Sequence, residues 1–374
     1  MTFPSVHVGR RPLTLLLVIA VVPCFAATAA IVKLHRQALR SISDGWTQQG
    51  EAALRAGHAA TAIDDFRNAL AYSRDDQLLH LRLAQALIAD NRPLEARGYL
   101  VPLWDEEPGD GQVNMELARV AAQQGRAADA IRYYHGAIEG AWDERAEDHR
   151  RTARLELVEF LLHSGHTTEA QPELVALAGD LPADLTMRKG IGKLLLQAGL
   201  VSRAEQVFSD VIRLHPKDAE ALGGAGVALY GQESYTKAAP LLERAVSLGN
   251  RDVAVLADAA SVRLIVDSDP YQRRLARSER ARRTMAAYTA ATARLSECTV
   301  AHAEDPELNA LGASAANLAG QHVDLRTLAR DPDLLDTVMD FVFNVEETTA
   351  ARCGEPQGLD RALRLLGAER KARQ

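Results

Sequence analysis

A chain of 374 residues is long enough for two or three domains or for one extended array of repeats. Hydrophobic residues make up 47% and aromatics only 5%; alanine, leucine and arginine dominate, which favours helix and leaves no runs of alternating β-branched residues for a sheet. The net charge of −7 understates the acidity of the body, since the residues before Lys33 hold Arg10 and Arg11 and no acid; such a body excludes a general nucleic-acid binder, whose affinity rests on neutralising phosphates.

After a short tail (1–12) comes an uncharged 20-residue run, Leu13 to Val32. At ~1.5 Å per residue it covers ~30 Å, the hydrocarbon thickness of a bilayer. The run is therefore expected to be a transmembrane helix, with Pro23 as a tolerated kink. The rival is a cleaved signal peptide, with Arg10 and Arg11 as its charged region and Ala27-Thr28-Ala29 as its cleavage site. Lys33, Arg36 and Arg40 follow the run in a juxtamembrane linker (33–42), so counting basic residues does not favour a cytoplasmic amino terminus.

From 43 to 252 the chain repeats itself every 34 residues. Trp46, Gly50, Gly57, Ala62, Phe66 and Ala69 set the pattern in 43–76, and Ala84, Asn91, Ala96, Leu100 and Pro108 follow in 77–110. Ala118, Gly125, Ala130, Tyr134 and Ala137 mark 111–144. After a six-residue insertion, Gly165, Ala170, Leu174, Leu177 and Pro182 mark 151–184. Gly192, Gly199, Ala204, Phe208 and Pro216 mark 185–218, and Gly226, Ala238, Leu242 and Ala245 mark 219–252. Each unit reads as two helices joined by a turn residue that accepts a left-handed backbone, with small residues where the helices approach and proline stopping the second helix. The sixth unit has Glu233 where glycine is expected, which predicts that the array decays there.

This pattern resembles the tetratricopeptide repeat, in its membrane-anchored bacterial form. The resemblance implies an all-α fold: a superhelical solenoid with an N-terminal transmembrane helix, closed by a C-terminal helical capping region at 253–374. It also implies a protein-binding groove lined by the second, fifth, ninth and twelfth positions of each first helix. Those positions give Glu51, Gln85, Arg119, Glu159, Lys189, Lys193, Val227 and Tyr230. Lys189, Lys193 and Arg119 are expected to form a basic patch able to clamp an acidic segment. The asparagine that a carboxylate-gripping groove places ninth is absent, which argues against a chaperone-tail clamp.

In the capping region helices are expected at 253–266, 271–298, 305–320, 331–352 and 358–370, with Asp305-Pro306 and Asp331-Pro332 as starts. Cys298 and Cys353 fall at predicted helix ends; they are either a disulfide outside the cytoplasm or two buried thiols. Arg273, Arg274, Arg277, Arg280, Arg282 and Arg283 crowd the start of one helix, facing either an anionic surface or solvent.

No zinc-protease, P-loop, nucleophile-elbow or Cys-x-x-Cys motif is present. Gly223-Gly224-Ala225-Gly226 looks phosphate-friendly but falls inside a predicted helix, where close packing explains it better. His163 and His166 with Glu169 have metal-ligand spacing at a solvated corner, so no metal is expected. The expected protein has no catalytic residue and no cofactor. It is a scaffold on the bacterial inner membrane, crossing once, with its body in the periplasm; its partner is a protein segment in the groove, with no nucleic acid or small-molecule substrate. The alternatives are the same array facing the cytoplasm with reduced cysteines, and an enzymatic or cofactor-binding C-terminal region.

Overall fold

The computed structural model describes residues 10–373, with side chains from 25 to 372. Every element among them is a helix, and a single parallel β-bridge joins Asp110 to Ala141. The chain forms two compact units, one ending at Phe160 and the other beginning at Leu161. The first holds α1 (Arg10–Arg55), α2 (Ala59–Tyr72), α3 (Gln77–Ala89), α4 (Pro93–Glu106), α5 (Gly111–Gln123), α6 (Ala127–Glu139) and most of α7 (Ala146–His163). The second continues through α8 (Thr167–Gly179), α9 (Leu185–Gln197), α10 (Val201–Leu214), α11 (Ala219–Gly231), α12 (Tyr235–Ser247) and α13 (Val253–Ser268). It finishes with α14 (Arg277–Ala301), α15 (Pro306–Gly320), α16 (Leu325–Arg330), α17 (Pro332–Cys353) and α18 (Gly358–Arg373).

The helical hairpins follow from three recurring residues. Gly57, Asn91, Gly125, Gly165 and Gly199 all take positive φ between the paired helices, ending the first helix at no steric cost for glycine. Ala62, Ala96, Ala130, Ala170, Ala204 and Ala238 are fully buried, because any longer side chain would hold the paired helices apart. Phe66 and Phe208 are likewise fully buried, each contributing ~1.5–3 kcal/mol relative to exposure. Pro108, Pro182 and Pro216 each fall just beyond a second helix and stop it.

A further device is the aspartate that closes five of the six repeats. Asp76, Asp110, Asp184, Asp218 and Asp252 cap the first helix of the following hairpin, each carboxylate accepting from a first-turn amide. The turn before α7 also has a structural role. Trp142 stacks on His149 at 4.5 Å and donates to the Ala137 carbonyl at 2.9 Å, covering Gly111 where no side chain fits.

Several expectations are corrected. The array does not decay at its sixth unit: α11 and α12 form a full hairpin, and Glu233 takes the left-handed turn with φ of 57°. The packing of Ala238 and Leu242, both fully buried, holds that turn in place. Among the described residues no helix is long and apolar enough to cross a membrane. The anticipated span lies within α1, but the side chains of its positions 13–24, and the tail through residue 9, lie outside the description. The arginine-rich helix starts at Arg277 rather than 271. Asp269 accepts from the Tyr271 amide and Arg274 is left-handed (φ 70°), so Arg273 and Arg274 sit in a turn and share no helical face with Arg277 and Arg280.

In the second unit α13 packs against α11 and α12 in the manner of another first helix. Its further partner comes from far along the chain: Ala362 and Leu366 of α18 join Val255, Val262 and Ile265 in one core. Helices α14 to α18 build a second core around Leu295, Val338, Met339, Val342 and Val345. Cys298 and Cys353 form a disulfide between α14 and α17, with Cα atoms 5.9 Å apart. The short α16, absent from the sequence reading, is held by an Asp324–Thr327 capping box.

Candidate protein-binding cleft

The residues expected to line a groove sit on first helices, and most of their polar atoms are bonded within the protein. In the first unit a ladder runs from each ninth position to the sixth position of the next repeat. Glu51 pairs with Arg82 at 3.7 Å, Gln85 donates to Glu116 at 2.9 Å, and Arg119 grips Glu156 with two hydrogen bonds of 2.6 and 2.9 Å. Arg119 also meets Glu116, whose side chain is only 5% exposed. Its guanidinium is held well above its ordinary pKa, chiefly by Glu156. The Tyr134 hydroxyl is 3.5 Å from Glu156; burial, then that carboxylate, raises its pKa. Glu159 is exposed on α7.

The second unit neutralises its lysines in the same way. Lys189 Nζ lies 3.1 Å from Asp218 and 2.6 Å from Glu220, and Lys193 Nζ lies 2.5 Å from Glu220. Lys189 and then Lys193 hold the Glu220 carboxyl below its usual range. At Asp218 desolvation opposes the shift, but the Ala221 amide and Lys189 still draw the carboxyl below its ordinary value. The anticipated basic patch is therefore corrected: Arg119, Lys189 and Lys193 are each matched by carboxylates of the following repeat.

What remains available is apolar. A cleft of about 820 Å³ opens between α9, α11 and α13, all within the second unit. Leu196, Phe208, Val227 and Val255 line it, with Lys193, Glu220, Arg251 and Asp252 among its polar groups. Of the expected groove residues it contains Lys193 and Val227. Lys189 is outside the lining, and Tyr230 packs edge-on against Tyr235 at 5.2 Å.

The cleft is made by glycines. Gly224 on α11 and Gly192 on α9 both face Phe208; a Cβ on Gly192 would come within 2.7 Å of the ring, and one on Gly224 closer still. Gly223 makes room for Asn250 and Val255, and Gly226 for Leu242. The Gly223–Gly226 run is thus a packing surface inside α11. Asn250 donates to the Ala219 carbonyl at 2.9 Å, fixing the corner where α12 gives way to α13. Among the described residues Arg251 bonds only backbone carbonyls, at 3.1 and 3.4 Å, and is exposed. It is the cleft's unneutralised cation.

His163 is exposed and His166 precedes α8; among the described residues no group of three metal-ligating side chains occurs.

Two stretches of the chain match a known repeat family. Residues 53–119 and 189–253 each match a family model described as tetratricopeptide repeat. The chain is 28% identical over 149 residues to the DnaJ homolog subfamily C member 3 of Gallus gallus; the match covers 36% of this chain and spans only 28% of that relative. Among solved structures it resembles pilF of Pseudomonas aeruginosa (16% identity, 59% of this chain, 97% of that one, TM-score 0.43). It also resembles the C-terminal part of a TPR repeat-containing protein from Cytophaga hutchinsonii (13% identity, 64% of this chain, 93% of that one, TM-score 0.47).

Proposed function

We propose that this chain, a protein built on tetratricopeptide repeats, is a non-catalytic adaptor that holds an extended or helical segment of a partner protein in the α9–α11–α13 cleft. The observation that carries the reading is the cleft itself. Its walls are apolar, its depth is set by glycines, and the charged groups around Lys193 and Glu220 are already paired. A segment that fits would present small or medium apolar side chains to Leu196 and Val227, with a carboxylate toward Arg251 for register. The polar ladder of the first unit ties repeat to repeat and leaves little to grip a ligand.

The adaptor is tethered by residues 13–32 to a bacterial inner membrane, with the body in the periplasm, where it serves assembly of an envelope complex. The uncharged run supports the tether, and the Cys298–Cys353 disulfide supports an oxidising compartment. A tether raises the effective concentration of partners near the membrane.

A photo-crosslinking amino acid at Val227 in living cells tests the cleft. The adduct's cross-linked residue is mapped, and a synthetic peptide of that segment is titrated against the purified protein. Saturable binding lost on Val227→Glu is the expected result. Peptide binding indifferent to Val227→Glu, or no adduct at Val227 while Glu159 yields one, overturns it. Alkaline extraction of membranes tests the tether: the full chain should stay with the lipid and a chain lacking residues 1–32 should not.

A further inference from the structure

Away from the cleft, the second unit contains a smaller pocket of about 350 Å³ where α14, α16, α17 and α18 meet. Three guanidinium groups reach it: Arg277 and Arg280 from the first turn of α14, and Arg370 from α18. Arg370 lies over the Tyr271 ring at 3.7 Å and is 3.7 Å from Asp336, the pocket's carboxylate. Arg277 and Arg280 make no ion pair among the described residues. Arg280 Nε and Tyr271 Oη are buried without a hydrogen-bond partner. Asp340, one turn beyond Asp336, is exposed and not part of the lining.

We propose that this pocket binds a phosphate monoester, with Arg277, Arg280 and Arg370 on its oxygens and Leu328 and Leu335 against the group that carries it. The charges argue for this ligand class. Three arginines against Asp336 leave two positive charges in excess, which matches a phosphate dianion. Planar guanidinium groups suit its oxygens because each offers two parallel donors. The amino-terminal end of α14 adds its own positive potential; its cap residue, Ala276, has no polar side chain to satisfy the first amides, and the first-turn acid Glu279 is engaged by Arg282 and Arg283. The apolar wall makes the ligand more than an inorganic ion, since a purely hydrated anion gains nothing from leucine. The phosphate belongs either to a free metabolite or to a lipid headgroup.

Calorimetric titration of the full chain in neutral detergent, at fixed low salt, decides the matter. Phenyl phosphate and glycerol 3-phosphate represent free esters, and dihexanoyl phosphatidic acid represents the lipid headgroup. Saturable binding of at least one probe is expected, weakened about tenfold or more by Arg277→Glu, less by Arg280→Lys, and unchanged by Arg282→Glu outside the pocket. Arg277 is exposed, so its replacement leaves the fold intact. Tighter binding of the short-chain lipid assigns the site to a headgroup, and equal or tighter binding of phenyl phosphate assigns it to a free ester. Absence of saturable binding by all three, or binding indifferent to Arg277→Glu, overturns the proposal.

Discussion

Gly224 and Phe208 are shaped to one another: a Cβ on Gly224 would overlap the Phe208 ring, which Gly192 also crowds. With two helices closing on the fully buried ring, it has little room to retreat. Gly224→Val should therefore destabilise the protein by about 1–3 kcal/mol, the usual cost of overpacking, read as a lower urea midpoint. Gly190 on α9 has nothing within 4 Å of its hypothetical Cβ, so Gly190→Ala should be neutral or stabilising in the same assay.

Glu233 holds a backbone conformation that suits glycine. Glu233→Gly should raise stability by about 0.5–1 kcal/mol, the relief of left-handed strain less the entropy glycine gains when unfolded. Asn91→Gly should gain less, because asparagine already tolerates this region. Equal gains at the two sites would mean that the turn at Glu233 carries no strain.

Arg119 joins two carboxylates, one of them almost fully buried. Arg119→Met leaves Glu116 without its cation and should cost about 2 kcal/mol. Adding Glu116→Gln and Glu156→Gln should recover much of that loss. A triple variant as unstable as the single one would show that the stem of Arg119, not its charge, matters to the ladder.

Glu346 is fully buried, and its pKa is pushed up from 4.5 to about 8 by desolvation and by Asp360, with Arg294 opposing. Between those two values the folded protein keeps a proton that the unfolded chain has released. The stabilisation is thus complete below pH 4.5, falls as pH rises through that window, and levels above it. Glu346→Gln should raise the melting temperature more at pH 8.5 than at pH 5. An identical shift at both values would place the carboxylate outside any titration in this range.

Cys298 and Cys353 are 55 positions apart, a separation at which a cross-link contributes ~4 kcal/mol in the loop-entropy model. Reductant should lower the melting temperature of the wild type and leave that of a Cys298→Ser, Cys353→Ser protein unchanged. Equal sensitivity in both would refute a stabilising role for the bond.

The fold was legible because a strict 34-residue repeat leaves each position one environment: Ala62 and its five equivalents are buried in every unit. The closing aspartates were periodic in all but the third repeat, from Asp76 to Asp252, and their capping role was available from the same alignment. The state of the groove was less accessible. Whether Lys189 is free depends on Asp218 and Glu220, a whole repeat later and brought near only by stacking. Spacing on one helix shows which residues share a face, but not which carboxylate the next helix offers them. The α14–α18 pocket was hidden for the same reason: Arg277 and Arg370 are far apart in sequence and meet only through tertiary packing.

The docking of α18 on α13 bears on how the molecule reaches its native state. Hairpins of the array close between neighbours within a few tens of residues, so they form early and locally. The α13–α18 core instead joins Val262 to Leu366 across the whole of α14 to α17, and its closure must await their arrangement. Refolding should consequently be biphasic, with most helicity appearing fast and the fluorescence of a tryptophan placed at Leu366 changing slowly. A backbone cut in the turn between α14 and α15 would leave both fragments bound, held by this contact as well as by the disulfide.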